Sequence, residues 1–341
     1  MRILIVTDAW HPQINGVVRT LDRLAFDVGR LGHSIEFLTP QNYPTAPLPG
    51  YPEIQLALAT PQAVADAIEA HNPDALHIST EGPLGWLARH WAIKVQRPFT
   101  TCYHTRYPQY ISARYPIPEA MTYGVMRYFH NAGVATMVAT PALQTELHHQ
   151  GFNRCLIWSR GVDAERFNPN ARAPLAFPGP IFLCVARVAV EKNLEAFLSL
   201  DLPGSKLIVG DGPDRAMLEA KYPDAHFLGA RFGDDLARLY ASADVFVFPS
   251  KTETFGLVML EALASGTPVA AFPVEGLIPE LARAGAGIMS QDLRAAALQA
   301  LEIPRDTCRS FALGYSHENA AKQFLNNVSE AYYRPLQKQA A

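Results

Sequence analysis

The feature that most constrains this chain is an alternation that runs through its first half, stops, and starts again. Short β-branched runs, Ile3–Thr7, Ser34–Thr39, Ala75–Ser79, Phe99–Tyr103, Ala135–Ala139 and Cys155–Trp158, are separated by longer stretches. Several of those stretches, Val17–Leu31, Pro61–His71, Gly85–Val95 and Pro141–Gln150, carry the apolar spacing of an amphipathic helix. Strand, helix, strand, with strands apolar throughout, predicts a parallel sheet covered on both faces. Residues 167–180, FNPNARAPLAFPGP, then hold four prolines and little periodicity, which predicts a linker. Beyond it the alternation resumes with strands Ile181–Ala186, Lys206–Gly210, His226–Leu228, Val245–Phe248 and Pro268–Phe272. Helices are expected from about Glu191, from Arg215, over Asp234–Ala241 and over Gly256–Ala264.

Two α/β units of similar size predict two Rossmann-like domains with a cleft between them, and ligands at the carboxyl ends of the strands. The expected division is 1–165, 166–315, and a C-terminal segment 316–341 whose helical pattern, Ser316–Tyr333, crosses back to brace the first domain. A length of 341 residues fits two domains, and 49% hydrophobic with 18% charged residues excludes a disordered chain. The net charge of −3 argues against nucleic acid as the main partner. Cys102, Cys155, Cys184 and Cys308 lie far apart without a C-x-x-C pair, so neither a zinc site nor a disulfide framework is suggested. No apolar run reaches the ~18 residues of a membrane span, and Met1–Thr7 is too short for a signal sequence. A soluble, cytoplasmic protein is the expectation.

The most informative stretch is Pro249–Val269, PSKTETFGLVMLEALASGTPV, which leaves a strand, turns at a glycine and enters a helix. Free N–H groups and the aligned dipole at such a helix start suit a phosphate. Glu253 stands just before that helix and Glu261 about two turns inside it. Carboxylates there can accept hydrogen bonds from sugar hydroxyls, one set on a hexose and one on a ribose. By spacing alone, Glu253 as a helix cap and Glu261 as a solvent-facing residue explain the pair more simply.

The run FPSKTETFGLVMLEALASGTPV closely resembles the E-x₇-E region of retaining, GT-B-fold glycosyltransferases of family four. Asn15–Thr20, NGVVRT, resembles the glycine loop after their first strand, and Arg160–Phe167, RGVDAERF, resembles their G-V-D-x-x-x-F hinge. Val185–Asn193, VARVAVEKN, is similar to their G-R-x-x-x-x-K-N segment, with Ala186 where glycine is usual. The resemblance covers nearly the whole chain. It implies a GT-B fold and a donor site in the second domain. Arg187 and Lys192 would neutralise the diphosphate leaving group, a task other transferases give to a metal held by D-x-D, a motif this sequence lacks. Glu253 and the segment Thr254, Phe255, Gly256, Leu257 and Val258 would hold the donor sugar, and Glu261 the ribose. Gly16 would let backbone amides approach the diphosphate from the other domain, its alternative being a tight turn with no ligand. His104, at a strand's carboxyl end, matches the position that contacts the donor sugar, although a lone histidine is ordinarily a packed or surface residue. Asp8 and His11 are weaker candidates. Val209–Pro213, VGDGP, lacks the third glycine of a dinucleotide fingerprint and is read as a turn.

Residues 86–130 carry Arg89, Lys94, Arg97, Arg106, Arg114 and Arg127 against Glu119 as the only acid, interleaved with Trp86, Trp91, Tyr107, Tyr110, Tyr115, Tyr123 and Tyr128. This composition suits an anionic lipid–water interface, and equally a core of aromatics with solvated cations. The resemblance to lipid glycosyltransferases and mannosyltransferases around Tyr103–Tyr107 and Tyr123–Asn131 tips the reading to the former. The function it implies is hexosyl transfer, with retention and without metal or other cofactor, from a UDP- or GDP-linked sugar to a lipid or glycan hydroxyl. Retention without an obvious nucleophile implies front-face attack. If the basic stretch is interfacial, the protein would sit peripherally on the inner face of the membrane. The rivals are a nucleotide-sugar epimerase of the same architecture and a non-catalytic sugar-nucleotide-binding protein.

Overall fold

In the computed structural model, which describes residues 1–13, 15–48, 51–274 and 276–333, the chain divides into two units. The first comprises Met1–Arg160 with the helix His317–Tyr333, and the second Gly161–Ser316.

The first unit is built on strands β1 (Arg2–Val6), β2 (Ser34–Leu38), β5 (Ala75–Ile78), β6 (Thr100–Cys102), β7 (Ala135–Val138) and β8 (Cys155–Ile157), all parallel, in the order β2-β1-β5-β6-β7-β8. β3 (Thr45–Leu48) and β4 (Tyr51–Ala57) form a separate antiparallel pair that the alternation did not predict, because Pro47 and Pro52 interrupt it. The two faces of the sheet follow from the period of two along β1. Ile3 and Ile5 join Leu21, Leu24 and Val28 of the helix Gly16–Arg30, while Leu4 and Val6 join Val64 and Ile68 of Pro61–His71 and Leu84 and Ala88 of Pro83–Lys94.

The helix His317–Tyr333 completes the first of these faces. Ala321, Phe324, Leu325 and Val328 are buried among Ile3, Ile5 and Trp158. Its polar side chains serve exposed strand ends: Asn327 donates to the Ile157 carbonyl at 2.8 Å, and Gln323 accepts from the Ser159 amide at 2.7 Å. The Tyr332 hydroxyl accepts from the Leu76 amide at 2.6 Å and donates to the Pro98 carbonyl at 2.5 Å.

The second unit repeats the plan. β9 (Ile181–Val185), β10 (Ser205–Val209), β11 (His226–Phe227), β12 (Val245–Phe248), β13 (Val269–Ala271) and β14 (Gly287–Met289) form a parallel sheet in the order β11-β10-β9-β12-β13-β14. Phe182, Cys184, Ile208, Val245 and Val247 pack on Leu194, Phe197, Ala296 and Ala300.

The proline-rich segment is not the linker that its composition predicts. It belongs to the second unit, and the division falls earlier, after Arg160. Phe167 is buried with its ring 5.8 Å from that of Tyr240, and the Ala173 amide donates to Ser242 Oγ at 3.0 Å. Two arginines of the helix Arg305–Leu313 secure it and its neighbours through backbone carbonyls. Arg309 donates to Ala164, Phe167 and Ala264, and Arg305 to Ala241, Ala243 and Ser265. Those carbonyls include the unsatisfied ends of the helices Gly233–Ser242 and Leu257–Ala264, which a guanidinium fork suits in geometry and in charge.

Candidate functional site

Strand order explains how the second unit assembles its polar cluster. β9 and β12 are neighbours in the sheet, so the loops leaving their carboxyl ends run side by side although about 60 residues separate them in sequence. Asn193, left-handed at φ 51°, donates from its side chain to the Pro249 carbonyl at 2.9 Å and pins one loop to the other. Lys192 ends a short 3₁₀ turn beside it, and its Nζ lies 3.5 Å from Glu253 Oε2. Glu253 Oε1 accepts from the Thr254 amide at 2.9 Å. Both members of this ion pair are partly buried, at 21% and 16% side-chain exposure, and Arg187 is likewise half-buried. The packed loops leave each of these cations only partly open.

Two simple readings of the glutamates fail here. Glu253 does not cap the helix Leu257–Ala264; the cap position is Gly256, left-handed at φ 95°, and among the described residues no side chain bonds the helix start. Glu261 does not face solvent. It is 4% exposed, and the Tyr240 hydroxyl donates to its Oε2 at 3.1 Å. Phe255 turns its ring inward, 6.1 Å from that of Tyr315, so only its backbone is left for a ligand. Leu257 and Val258 form the first turn of the helix, where amides have no intrahelical acceptor. A partly buried lysine, a carboxylate and a helix start thus meet at the carboxyl ends of the two central strands of the sheet, with Arg187 just past the end of one of them, an arrangement that can take a phosphorylated sugar. Gly210 and Gly212 do form a turn, closed by the Val188 amide on the Asp211 carbonyl at 2.9 Å. Tyr240, 21 residues from Glu261, carried no sequence signal for its contact.

The first unit holds a second polar cluster at the carboxyl ends of β1, β5 and β6. Gly82 caps the helix Pro83–Lys94 and has no side chain to offer, so the orphan amides of its first turn need an acceptor from elsewhere. Asp8, just past β1, supplies it: Oδ1 accepts from Leu84 N at 2.9 Å, and Oδ2 from Gly85 N at 3.2 Å and Thr80 Oγ1 at 3.1 Å. Burial raises the Asp8 carboxyl above its ordinary range despite these hydrogen bonds. Asp8 is therefore an internal helix cap. His11 is turned to solvent, with Asp22 at 2.8 Å. Gly16 opens the helix Gly16–Arg30, but the Val17 and Val18 amides beside it already donate to Asn15 Oδ1, each at 3.0 Å.

His104 lies just beyond β6, with Nε2 3.0 Å from Ser79 Oγ and Nδ1 3.4 Å from an Arg160 nitrogen. Burial, then the Arg160 charge, hold it well below the ordinary histidine range, so the ring is neutral. Arg160 was not singled out in sequence except as the first letter of the hinge-like motif. Beneath His104, the His130 ring bridges Thr101 Oγ1 at 2.8 Å and Glu81 Oε1 at 2.9 Å.

Part of the basic stretch 86–130 is spent inside the unit. Arg89 is buried against the Trp86 and Tyr128 rings and donates to the Tyr128 and Phe129 carbonyls. Arg106 is buried against Glu146 at 2.8 Å, which also accepts from the Tyr123 hydroxyl. Arg97 donates to the Pro73 and Asp74 carbonyls, and Arg127 to that of Gln150. Lys94, Arg114 and Arg127 stay exposed, and beside these cations the stretch also shows apolar side chains to solvent. In the helix Glu119–His130, Met121, Val125 and Tyr128, at i, i+4 and i+7, are 66%, 55% and 65% exposed, and Tyr115 and Ile117 continue the patch. Among the described residues no helix is long and apolar enough to cross a membrane.

Comparison with known proteins gives a consistent answer. Residues 14–166 match the family Glycosyltransferase Family 4, and residues 179–303 match Glycosyl transferases group 1. A GDP-mannose-dependent alpha-mannosyltransferase of Mycobacterium tuberculosis is 33% identical over 297 residues, 80% of this chain and 79% of that protein. An alpha-monoglucosyldiacylglycerol synthase of Streptococcus pneumoniae is 25% identical over 380 aligned positions, covering 97% of this chain and 85% of its own. Among solved structures, a sucrose-phosphate synthase from Thermosynechococcus elongatus superposes with a TM-score of 0.79 at 19% identity, covering 97% of this chain and 99% of that one, which shows the fold. With two six-stranded parallel sheets, the architecture is GT-B. The chain belongs to glycosyltransferase family 4 and is a glycosyltransferase.

Proposed function

We propose that the protein transfers a hexose, with retention and without a metal, from a nucleotide diphosphate sugar to a hydroxyl of a membrane lipid. The observation that carries the donor half is the Lys192–Glu253 pair beside the helix start at Gly256, where among the described residues no side chain takes the first amides. Lys192 and Arg187 take the diphosphate, Glu253 and the amides of residues 254–258 the sugar, and Glu261 the ribose. The sugar C1–O(phosphate) bond breaks while the C1–O(acceptor) bond forms on the same face, and the acceptor proton passes to the leaving phosphate. His104, in the first unit, is assigned to contact with the donor sugar.

GDP-mannose is the donor we favour, because the mycobacterial relative is named for it. Nucleoside diphosphates and their sugars test this by thermal shift: a ligand at 100 times its Kd raises stability by about 2.7 kcal/mol. GDP-mannose is expected to shift the protein and to turn over with excess EDTA present. A shift by UDP-sugars alone would overturn the base, and loss of turnover restored by Mg²⁺ or Mn²⁺ would overturn the metal-free mechanism.

The lipid half rests on the exposed stripe Met121, Val125 and Tyr128, and on the diacylglycerol product that names the pneumococcal relative. Arg89, Arg97 and Arg106 are bound internally while Lys94, Arg114 and Arg127 stay exposed, and we assign the larger share of vesicle binding to burial of the apolar stripe. Co-sedimentation with anionic vesicles is therefore expected to survive high salt and to fail in Met121→Asp/Val125→Asp, with GDP binding intact. Equal sedimentation of that variant and the parent would return the acceptor to soluble glycans.

A further inference from the structure

Arg160 is 6% exposed, yet no carboxylate is among its described partners. One nitrogen donates to the Trp158 and Ser159 carbonyls, the other points at Cys102 Sγ, 3.8 Å away, and at His104 Nδ1, 3.4 Å away, while the guanidinium lies over the Trp158 ring at 4.2 Å. A buried cation without a counter-ion costs stability. Guanidinium nitrogens only donate, so the His104 nitrogen facing Arg160 must be the ring's acceptor. The proton of the neutral ring then sits on Nε2, the nitrogen beside Ser79 Oγ.

We propose that Arg160 is a positioning residue that locks His104 in the Nε2–H form, with that N–H directed to Ser79 Oγ, so that His104 stands at the site as a neutral ring and never as a proton acceptor. This use of the lock rests on the role assigned above to His104; the lock itself does not. Three other groups face the ring or its surroundings. His77, on β5, is pushed by burial down to about 3 and stays neutral. His130, from the helix Glu119–His130, is paired with Glu81. Cys102, on β6, is driven up to about 12 and remains a thiol. Arg160 is thus the permanent charge in this set, and its position opposes a second proton on His104.

The test is nitrogen NMR of ¹⁵N-histidine-labelled protein, with His104 assigned by its loss in His104→Gln, alongside a pH profile of turnover. In the parent, His104 is expected to be protonated on Nε2 alone and not to titrate across the neutral range. In Arg160→Met its midpoint is expected to rise, still held below the ordinary ~6.5 by burial, and turnover to gain an acid limb at that new midpoint. Arg160→Lys, which keeps the cation, should restore the flat profile. Protonation on Nδ1 in the parent, or identical titration in the parent and Arg160→Met, would overturn the proposal. Should Arg160→Met not fold, Ser79→Ala decides: the tautomer persists if Arg160 sets it and becomes mixed if Ser79 does. A locked ring in an enzyme indifferent to His104→Gln would uphold the lock and remove His104 from the reaction.

Discussion

Two helices of this molecule begin in the same way and are finished differently. Pro83–Lys94 and Leu257–Ala264 each follow a strand of a parallel sheet, and each has glycine at the cap position, Gly82 and Gly256. In the first, the chain brings its own anion: Asp8 fills the helix start from the neighbouring strand end. In the second, among the described residues no side chain does so, and Lys192 stands nearby as half of an ion pair with Glu253. A start of helix attracts negative charge in either case. The first is closed by the chain's own carboxylate, and the second is where we propose the donor binds.

The largest effect expected from this contrast is catalytic. Lys192→Ala and Arg187→Ala should each slow turnover by about 10²-fold or more, roughly 2.7 kcal/mol of barrier, with thermal unfolding unchanged. Near-normal steady-state rates in either variant would show that the second helix start is no more a ligand site than the first.

The corresponding change in the first unit should act on folding. Asp8→Asn sets an amide N–H against one of the donors that the carboxylate accepted, and should cost about 1–3 kcal/mol in denaturant unfolding. Because the native Asp8 pKa lies above the unfolded value of 3.8, the native state holds the extra proton. Its contribution is complete below that value and falls as pH rises to the native one; Asp8→Asn should abolish this slope. Gly82→Ala tests the same contact from the other side, since its Cβ would come within 2.4 Å of Asp8 Cγ. GDP binding should be unaffected by either; a large loss would break the distinction.

Gly256→Ala should give the smallest effect. Its φ of +95° disfavours any L side chain by about 1–2 kcal/mol, whereas the contact with the Met259 methyl, 2.0 Å from the new Cβ, is relieved by a flexible tip. A modest loss of nucleotide affinity, read by calorimetry, is expected with it.

What was legible in sequence follows from how local each cause is. The strands could be read because burial on both faces leaves continuous apolar runs, and the E-x₇-E segment because one strand–turn–helix carries it. Lys192 and Glu253 could be named only through resemblance, since their meeting depends on β9 and β12 being neighbours. Asp8 was misjudged because its partners, Leu84 and Gly85, lie 76 and 77 residues away. Arg89 and Arg97 gave no sign of their internal partners because a guanidinium satisfied by carbonyls leaves no complementary residue type in the sequence. Glu261 looked solvent-facing for a similar reason: its partner is a tyrosine on another helix.

The helix His317–Tyr333 places the last described residues of the chain in the unit that contains the first. Synthesis runs from the amino end, so β1 to β8 emerge early without Phe324 and Val328, which complete one face of their sheet, or Tyr332, which closes the Leu76 and Pro98 strand ends. Gly161–Ser316 is continuous and has all its parts once Ser316 has left the ribosome. The unit made first is therefore finished last, and during translation it is the one with an open apolar face to shield.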